Sequence, residues 1–80
     1  MRRKPKLPEM PEPSRFDRFD EATLFTLAEQ SIMTAGRYLN ESASDTSKVA
    51  ELEYCDTAIS DAQAAVRAVL RRRIALAQNL

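Results

Sequence analysis

Residues 45–78 read DTSKVAELEYCDTAISDAQAAVRAVLRRRIALAQ, without a single glycine or proline. Apolar side chains recur along this stretch at alternating steps of three and four residues, the spacing that places them on one face of a helix. They are Leu52, Cys55, Ile59, Ala62, Val66 and Val69. The stretch therefore predicts one long amphipathic helix over residues 45–78, with a coiled-coil-like seam along one side.

A shorter amphipathic pattern precedes it. Asp20 is a typical N-cap residue, and Phe19 and Leu24 have the spacing of a hydrophobic staple around it. We expect a helix over residues 20–40 whose seam also steps by three and four residues. The seam residues are Phe25, Ala28, Ile32, Ala35 and Leu39. Gly36 within it costs about 1 kcal/mol relative to Ala, which indicates either close approach of another backbone or a weak point.

A short polar connection separates the two patterns. Residues 40–44, NESAS, are small and polar and lack periodicity, which favours a connection, with Ser44 or Asp45 as the next N-cap. So short a connection makes consecutive helices antiparallel neighbours. The expected fold class is therefore all-α: an antiparallel two-helix hairpin, coiled-coil-like, which dimerisation would turn into a four-helix bundle.

The start of the chain has a different composition. Residues 1–13, MRRKPKLPEMPEP, hold all four prolines, each of which removes a backbone donor and disfavours the helical conformation in the residue before it. We expect a disordered, Pro-rich basic arm over residues 1–13 and a folded hairpin over residues 14–80. Ser14 and Asp17 have capping-box spacing, which predicts a short turn around Phe16 before the first helix.

Composition restricts the chemistry that the chain can perform. The 80 residues include 12 basic and 12 acidic side chains, one cysteine, one glycine and no histidine. These counts exclude a zinc site of the usual Cys/His kind, a His-activated nucleophile, a disulfide within one chain and a Gly-rich phosphate loop. We therefore expect a non-enzymatic protein with no catalytic residues, no cofactor and no metal.

The sequence also indicates a cytoplasmic protein. Its N-terminal region lacks the apolar stretch of a secretory signal, and a lone cysteine fits a reducing compartment. The region that most resembles a membrane segment, residues 64–80, is interrupted by Arg67 and by the run Arg71–Arg73. It is too short and too charged to span a bilayer, so we expect no membrane partner.

Charge is segregated along the chain although its sum is zero. Residues 41–60 contain five acidic side chains against Lys48 alone, a net charge of −4. Residues 61–80 contain four arginines against Asp61, a net charge of +3, and residues 1–13 add +2. In an antiparallel hairpin the acidic part lies at the turn, and the two basic parts share the open end.

The longer helix is expected to extend past the shorter one. At 1.5 Å per residue, residues 45–78 exceed residues 20–40 by roughly three turns, and this overhang carries apolar side chains on more than one face. Phe16 and Phe19 can fold back over part of it, but apolar surface would remain exposed. Apolar anchors framed by charge are typical of a binding surface. The candidate partner-binding residues are Val69, Leu70, Arg71, Arg72, Arg73, Ile74 and Leu76.

These features predict a protein that acts by binding. The first expectation is a small protein–protein interaction module, an adaptor or modulator of the phage or bacterial accessory-protein kind, whose apolar helix faces bind a protein partner or a second copy. The second is a nucleic-acid-associated accessory protein that uses the basic open end. In layout alone, the chain resembles type III secretion needle subunits and their hairpin co-chaperones, which implies a structural or chaperone role as a third expectation.

Overall fold

A computed structural model describes residues 6–79. Two helices, α1 (Glu21–Ala43) and α2 (Val49–Gln78), pack along each other. The start of α1 contacts the second half of α2, and the end of α1 contacts its first half, so the helices are antiparallel. The predicted fold class, an all-α two-helix hairpin, is confirmed. Neither helix of the described chain is long and apolar enough to cross a lipid bilayer.

Only part of the predicted N-terminal arm falls within the described residues. The cluster Arg2, Arg3 and Lys4 lies outside them. Residues 6–13 form neither helix nor strand, as their prolines lead one to expect. The disorder of residues 1–13 stays a prediction.

The start of α1 follows the sequence signals closely. Ser14 N donates a hydrogen bond of 2.9 Å to Asp17 Oδ2, which closes the predicted turn around Phe16. Thr23 N donates a hydrogen bond of 2.7 Å to Asp20 Oδ1, so Asp20 is the N-cap. This backbone hydrogen bond, with a second from the Thr23 side chain, holds the pKa of Asp20 below its usual value.

The connection between the helices differs from the prediction. Helix α1 continues through the expected loop to Ala43, and Ser44, one of the two predicted N-caps of the second helix, is instead the C-cap of α1. Ser42 Oγ donates a hydrogen bond of 2.8 Å to Tyr38 O within α1. Asp45 Oδ1 accepts hydrogen bonds from Ser47 N and Oγ at 3.0 and 2.6 Å, so it forms a turn rather than an N-cap. Hydrogen bonds from the Ser47 side chain and backbone lower the pKa of Asp45.

The overhang of α2 is consequently shorter than predicted. Helix α1 has 23 residues and α2 has 30, a difference of seven residues. Seven residues correspond to about two turns or 10 Å, rather than three turns. The observed end of α1 and start of α2 differ from the predicted ones because small polar residues can end a helix or continue it, and the sequence alone does not distinguish the two outcomes.

The helices meet along two rows of small side chains, which we call the alanine seam. Cys55 Sγ donates a hydrogen bond of 3.4 Å to Ala35 O, so a side chain of α2 reaches the backbone of α1. Leu24 and Val69 close the seam at the open end of the hairpin. The alanine seam consists of Ala28, Ser31 and Ala35 on α1 and of Cys55, Ala58, Ala62 and Ala65 on α2.

The predicted seam was partly wrong on both helices. Its small members are buried, as is Val69, but its large members are about half exposed. The large members are Phe25, Ile32, Leu39, Leu52, Ile59 and Val66. Rows of alanine let helix axes approach toward the short end of the usual range of about 8–10 Å, and that approach leaves no room for larger side chains between them. Relative to the predicted seam, each helix is therefore rotated about its own axis by about 50°, half of the 100° that separates neighbouring residues.

Gly36 has no packing role within residues 6–79. Apart from Gly36 itself, its two neighbours in the sequence and the adjacent backbone of α1, no atom of the described chain lies within 4 Å of the position that a Cβ would take there. Close approach of another backbone, one of the two interpretations of this glycine, therefore does not occur inside the hairpin. Its cost of about 1 kcal/mol relative to Ala is not compensated by the chain's own packing.

The alanine seam makes a direct prediction about side-chain size. Ala65 is completely buried, so Ala65→Leu should force the helices apart and lower the free energy of unfolding by about 1–3 kcal/mol or more. Ala50→Leu is the matched control, because it makes the same change at an exposed position of the same helix. Urea denaturation followed by circular dichroism gives both values. Equal stability of the two variants would contradict the alanine seam.

Candidate protein interface

The structure buries two of the predicted partner-binding residues. Val69 is only 9% exposed and Ile74 only 2% exposed, so the expectation that both project from an uncovered overhang is wrong. Leu70 and Leu76 are 37% and 63% exposed. The overhang therefore does not present one continuous set of apolar anchors.

The cover over this end of α2 is the N-terminal segment, residues 11–20. Phe16 and Phe19 pack against the buried cluster that contains Leu24 and Val69, and their ring centroids lie 5.7 Å apart. Ser14 Oγ donates a hydrogen bond of 2.6 Å to the carbonyl oxygen of Ala64. Apolar contacts and a hydrogen bond to the helix backbone thus attach the segment to one flank of the hairpin.

Two of the three consecutive arginines hold this segment in place. Arg71 donates to the carbonyl oxygen of Pro11, and its Nε lies 3.6 Å from Asp17 Oδ2. Arg72 donates to the carbonyl oxygen of Asp17 at 2.5 Å and to that of Phe19. Their guanidinium groups satisfy backbone acceptors of the segment, which has no regular secondary structure to satisfy them.

The remaining ion pairs of the N-terminal region are more exposed. Arg73 pairs with Glu21 at the start of α1, and the hydrogen bond and charge of Glu21 raise the pKa of Arg73. Arg15 pairs with Asp61 on α2. The arginines that were expected to frame a partner site therefore connect the C-terminal part of α2 to the N-terminal segment and to the start of α1.

The opposite flank of the hairpin presents a strip of large apolar side chains, which we call the open flank. Each of these residues is between 37% and 58% exposed. They are Phe25, Ile32 and Leu39 on α1 and Leu52, Ile59, Val66 and Leu70 on α2. Exposed apolar residues are ordinary when scattered, but a contiguous strip of this kind usually marks an interaction site.

The open flank has a seven-residue repeat on both helices. Phe25, Ile32 and Leu39 are each seven residues apart, as are Leu52, Ile59 and Val66. On α1, each follows directly after a residue that faces α2, namely Leu24, Ser31 and Tyr38. Repeats of seven place side chains in line along helices that pack as in coiled coils. This repeat is the sequence signal that could have separated the open flank from the seam.

A groove runs along the open flank. Ile32, Ile59, Val66 and Leu70 line a cavity of about 500 Å³, together with Ala35, Ala62, Gln63 and Arg67. A second cavity of about 210 Å³ continues toward the open end and shares Val66 and Leu70 with the first. Of the predicted partner-binding residues, Leu70 is thus the exposed one that belongs to the apolar strip.

The remaining reactive groups do not form a second candidate site. Cys55 is buried in the alanine seam. Within residues 6–79, no three Cys, Asp or Glu side chains are placed to hold a metal ion. The open flank is the candidate interface of the described residues, and its lining is mostly apolar.

Comparison with known proteins adds no family. The chain matches no protein-family model, no curated protein and no solved structure.

The N-terminal segment predicts which aromatic residues stabilise the hairpin. Phe16→Ala with Phe19→Ala should lower the free energy of unfolding by at least about 2 kcal/mol, because both rings pack on the cluster around Leu24. The matched control is Met33→Ala with Leu76→Ala, since these two residues are 73% and 63% exposed and their truncation should change stability little. Thermal melts of both double variants provide the measurement. A control as unstable as the phenylalanine variant would contradict this role of the segment.

Proposed function

We propose that this chain is a small non-enzymatic protein-interaction module whose open flank binds an apolar helical surface. The observation that carries the proposal is the strip of seven large apolar residues, each about half exposed, with a seven-residue repeat on both helices. A seven-residue repeat favours a partner that is itself helical, because helices in coiled-coil packing match it. The role is that of an adaptor or modulator.

The two flanks of the hairpin support this assignment by their difference. The flank covered by the N-terminal segment has hydrogen bonds from Ser14, Arg71 and Arg72 to backbone oxygens. The open flank carries the larger share of exposed apolar surface and is lined by few polar groups. A partner on the open flank would bury aliphatic and aromatic anchors at the centre of its interface, where such anchors contribute most binding energy.

The nucleic-acid alternative has less support. Its basic residues at the open end, Arg71, Arg72 and Arg73, all donate hydrogen bonds within the chain. Using them on phosphates would compete with their contacts to the N-terminal segment and to Glu21. The needle-type alternative rests on layout alone, and no matching structure adds to it.

The proposal is tested by capture experiments with a matched pair of variants. Ile32→Glu with Ile59→Glu places charge at the centre of the open flank and should abolish recovery of the proteins that bind the parent chain. Met33→Glu with Leu76→Glu is the control, because these residues are 73% and 63% exposed and lie outside the open flank. Affinity capture followed by quantitative mass spectrometry compares the three forms.

The pattern of losses decides the outcome. Recovery that falls with the open-flank variant and persists with the control supports the proposal. Loss with the Met33 and Leu76 control, together with retention in the open-flank variant, would contradict it and move the interface to the surface around one of these two residues. Circular dichroism of both variants establishes that the helices are intact.

A further inference from the structure

We infer that the occupant of the open flank is a second copy of this chain, which lies antiparallel to the first, with the turn of each copy beside the open end of the other, and forms a four-helix bundle with it. This inference rests on the proposed function, because it names the partner of the same surface. The two copies would be related by a two-fold axis that runs across the hairpin at the level of Ile32 and Ile59. Such an interface is isologous, so both copies use the same residues.

The spacing of the open flank is self-complementary. Ile32 and Ile59 line one groove, and Phe25 and Val66 line the cavity that continues it toward the open end. Seven residues toward the turn from Ile32 and Ile59 lie Leu39 and Leu52. A rotation of 180° about the two-fold axis therefore places Phe25 and Val66 of one copy over Leu39 and Leu52 of the other. Each row of anchors then meets another row.

The size of the open flank fits an interface between two copies. Its seven residues are between 37% and 58% exposed. At roughly 200 Å² for a large side chain, they present on the order of 700 Å². A stable interface of standard size takes about 800 Å² from each partner, so the strip and its rim supply what is needed.

Charge selects the relative direction of the two copies. The half of the hairpin at the turn, residues 31–60, carries five acidic side chains against Arg37 and Lys48, a net charge of −3. The other half, residues 14–30 and 61–79, carries six arginines against five acidic side chains, a net charge of +1. A dimer with both turns at one end would bring two acidic halves together. The antiparallel dimer separates the two acidic halves and places each beside a slightly basic half.

The first experiment measures mass. Sedimentation equilibrium of the full chain should give twice the chain mass of 9.0 kDa. Ile59→Glu and Ile59→Lys should each weaken the dimer at least about 100-fold, because each buries like charges near the two-fold axis. An equimolar mixture of the two variants should recover the dimer, because Glu and Lys then face each other. This rescue excludes misfolding as the cause of the loss. A dimer that persists in both variants overturns the inference.

The second experiment measures direction. Thr46→Cys in a Cys55→Ala background carries one spin label at the exposed turn. In the antiparallel dimer the two labels lie about 40 Å apart, since each turn is about 20 Å from the level of Ile32 and Ile59. With both turns at one end they would lie roughly 10–20 Å apart, which would overturn the arrangement.

The two proposals fail in different ways. A parent chain that stays monomeric, together with open-flank-dependent capture of another protein, overturns the second copy as occupant and leaves the proposed function standing. An open-flank variant with unchanged mass and unchanged captured proteins overturns both.

Discussion

Close contact between two rows of small side chains is the constraint on which the rest of this structure depends. Ala28 and Ala35 on α1 meet Ala58 and Ala65 on α2, and the thiol of Cys55 reaches the α1 backbone. When helices meet through alanine, most of the larger apolar residues lie beside the contact, and here Leu24 and Val69 are the large residues buried at its open end. The hairpin consequently has two apolar flanks, one on each side of the alanine seam.

The two flanks differ in whether the chain itself covers them. The N-terminal segment covers one with Phe16 and Phe19, and guanidinium donors such as Arg72 satisfy the segment's carbonyl groups. The open flank keeps its large residues about half exposed. An alanine seam buries little apolar area per residue, so a hairpin of this length gains only modest stability from its own core. A partner on the open flank would add stability as well as function.

Much of the fold could be predicted from the sequence, and the misses share a cause. The two helices, their antiparallel order, the turn that begins at Ser14 and the N-cap at Asp20 follow from local sequence signals, and each is present. Periodicity located the apolar side of each helix but not its centre, because a pattern of three and four fits two seams about 50° apart. The small residues determine which of the two seams is buried, because they allow the helices to approach closely, and this depends on both helices together. The packing of Phe16 and Phe19 over the open end was expected from their position, but the hydrogen bonds from Arg71 and Arg72 to this segment could not be predicted, because they join residues that lie far apart in the sequence.

The most direct test of the alanine seam is methyl NMR spectroscopy of the chain with labelled alanine and isoleucine methyl groups. Nuclear Overhauser cross-peaks should connect Ala28 with Ala65 and Ala35 with Ala58, since the members of each pair share one buried cluster. Absence of both alanine cross-peaks, with the Ile32 and Ile59 methyl groups packed between the helices in their place, would contradict the seam and with it the open flank.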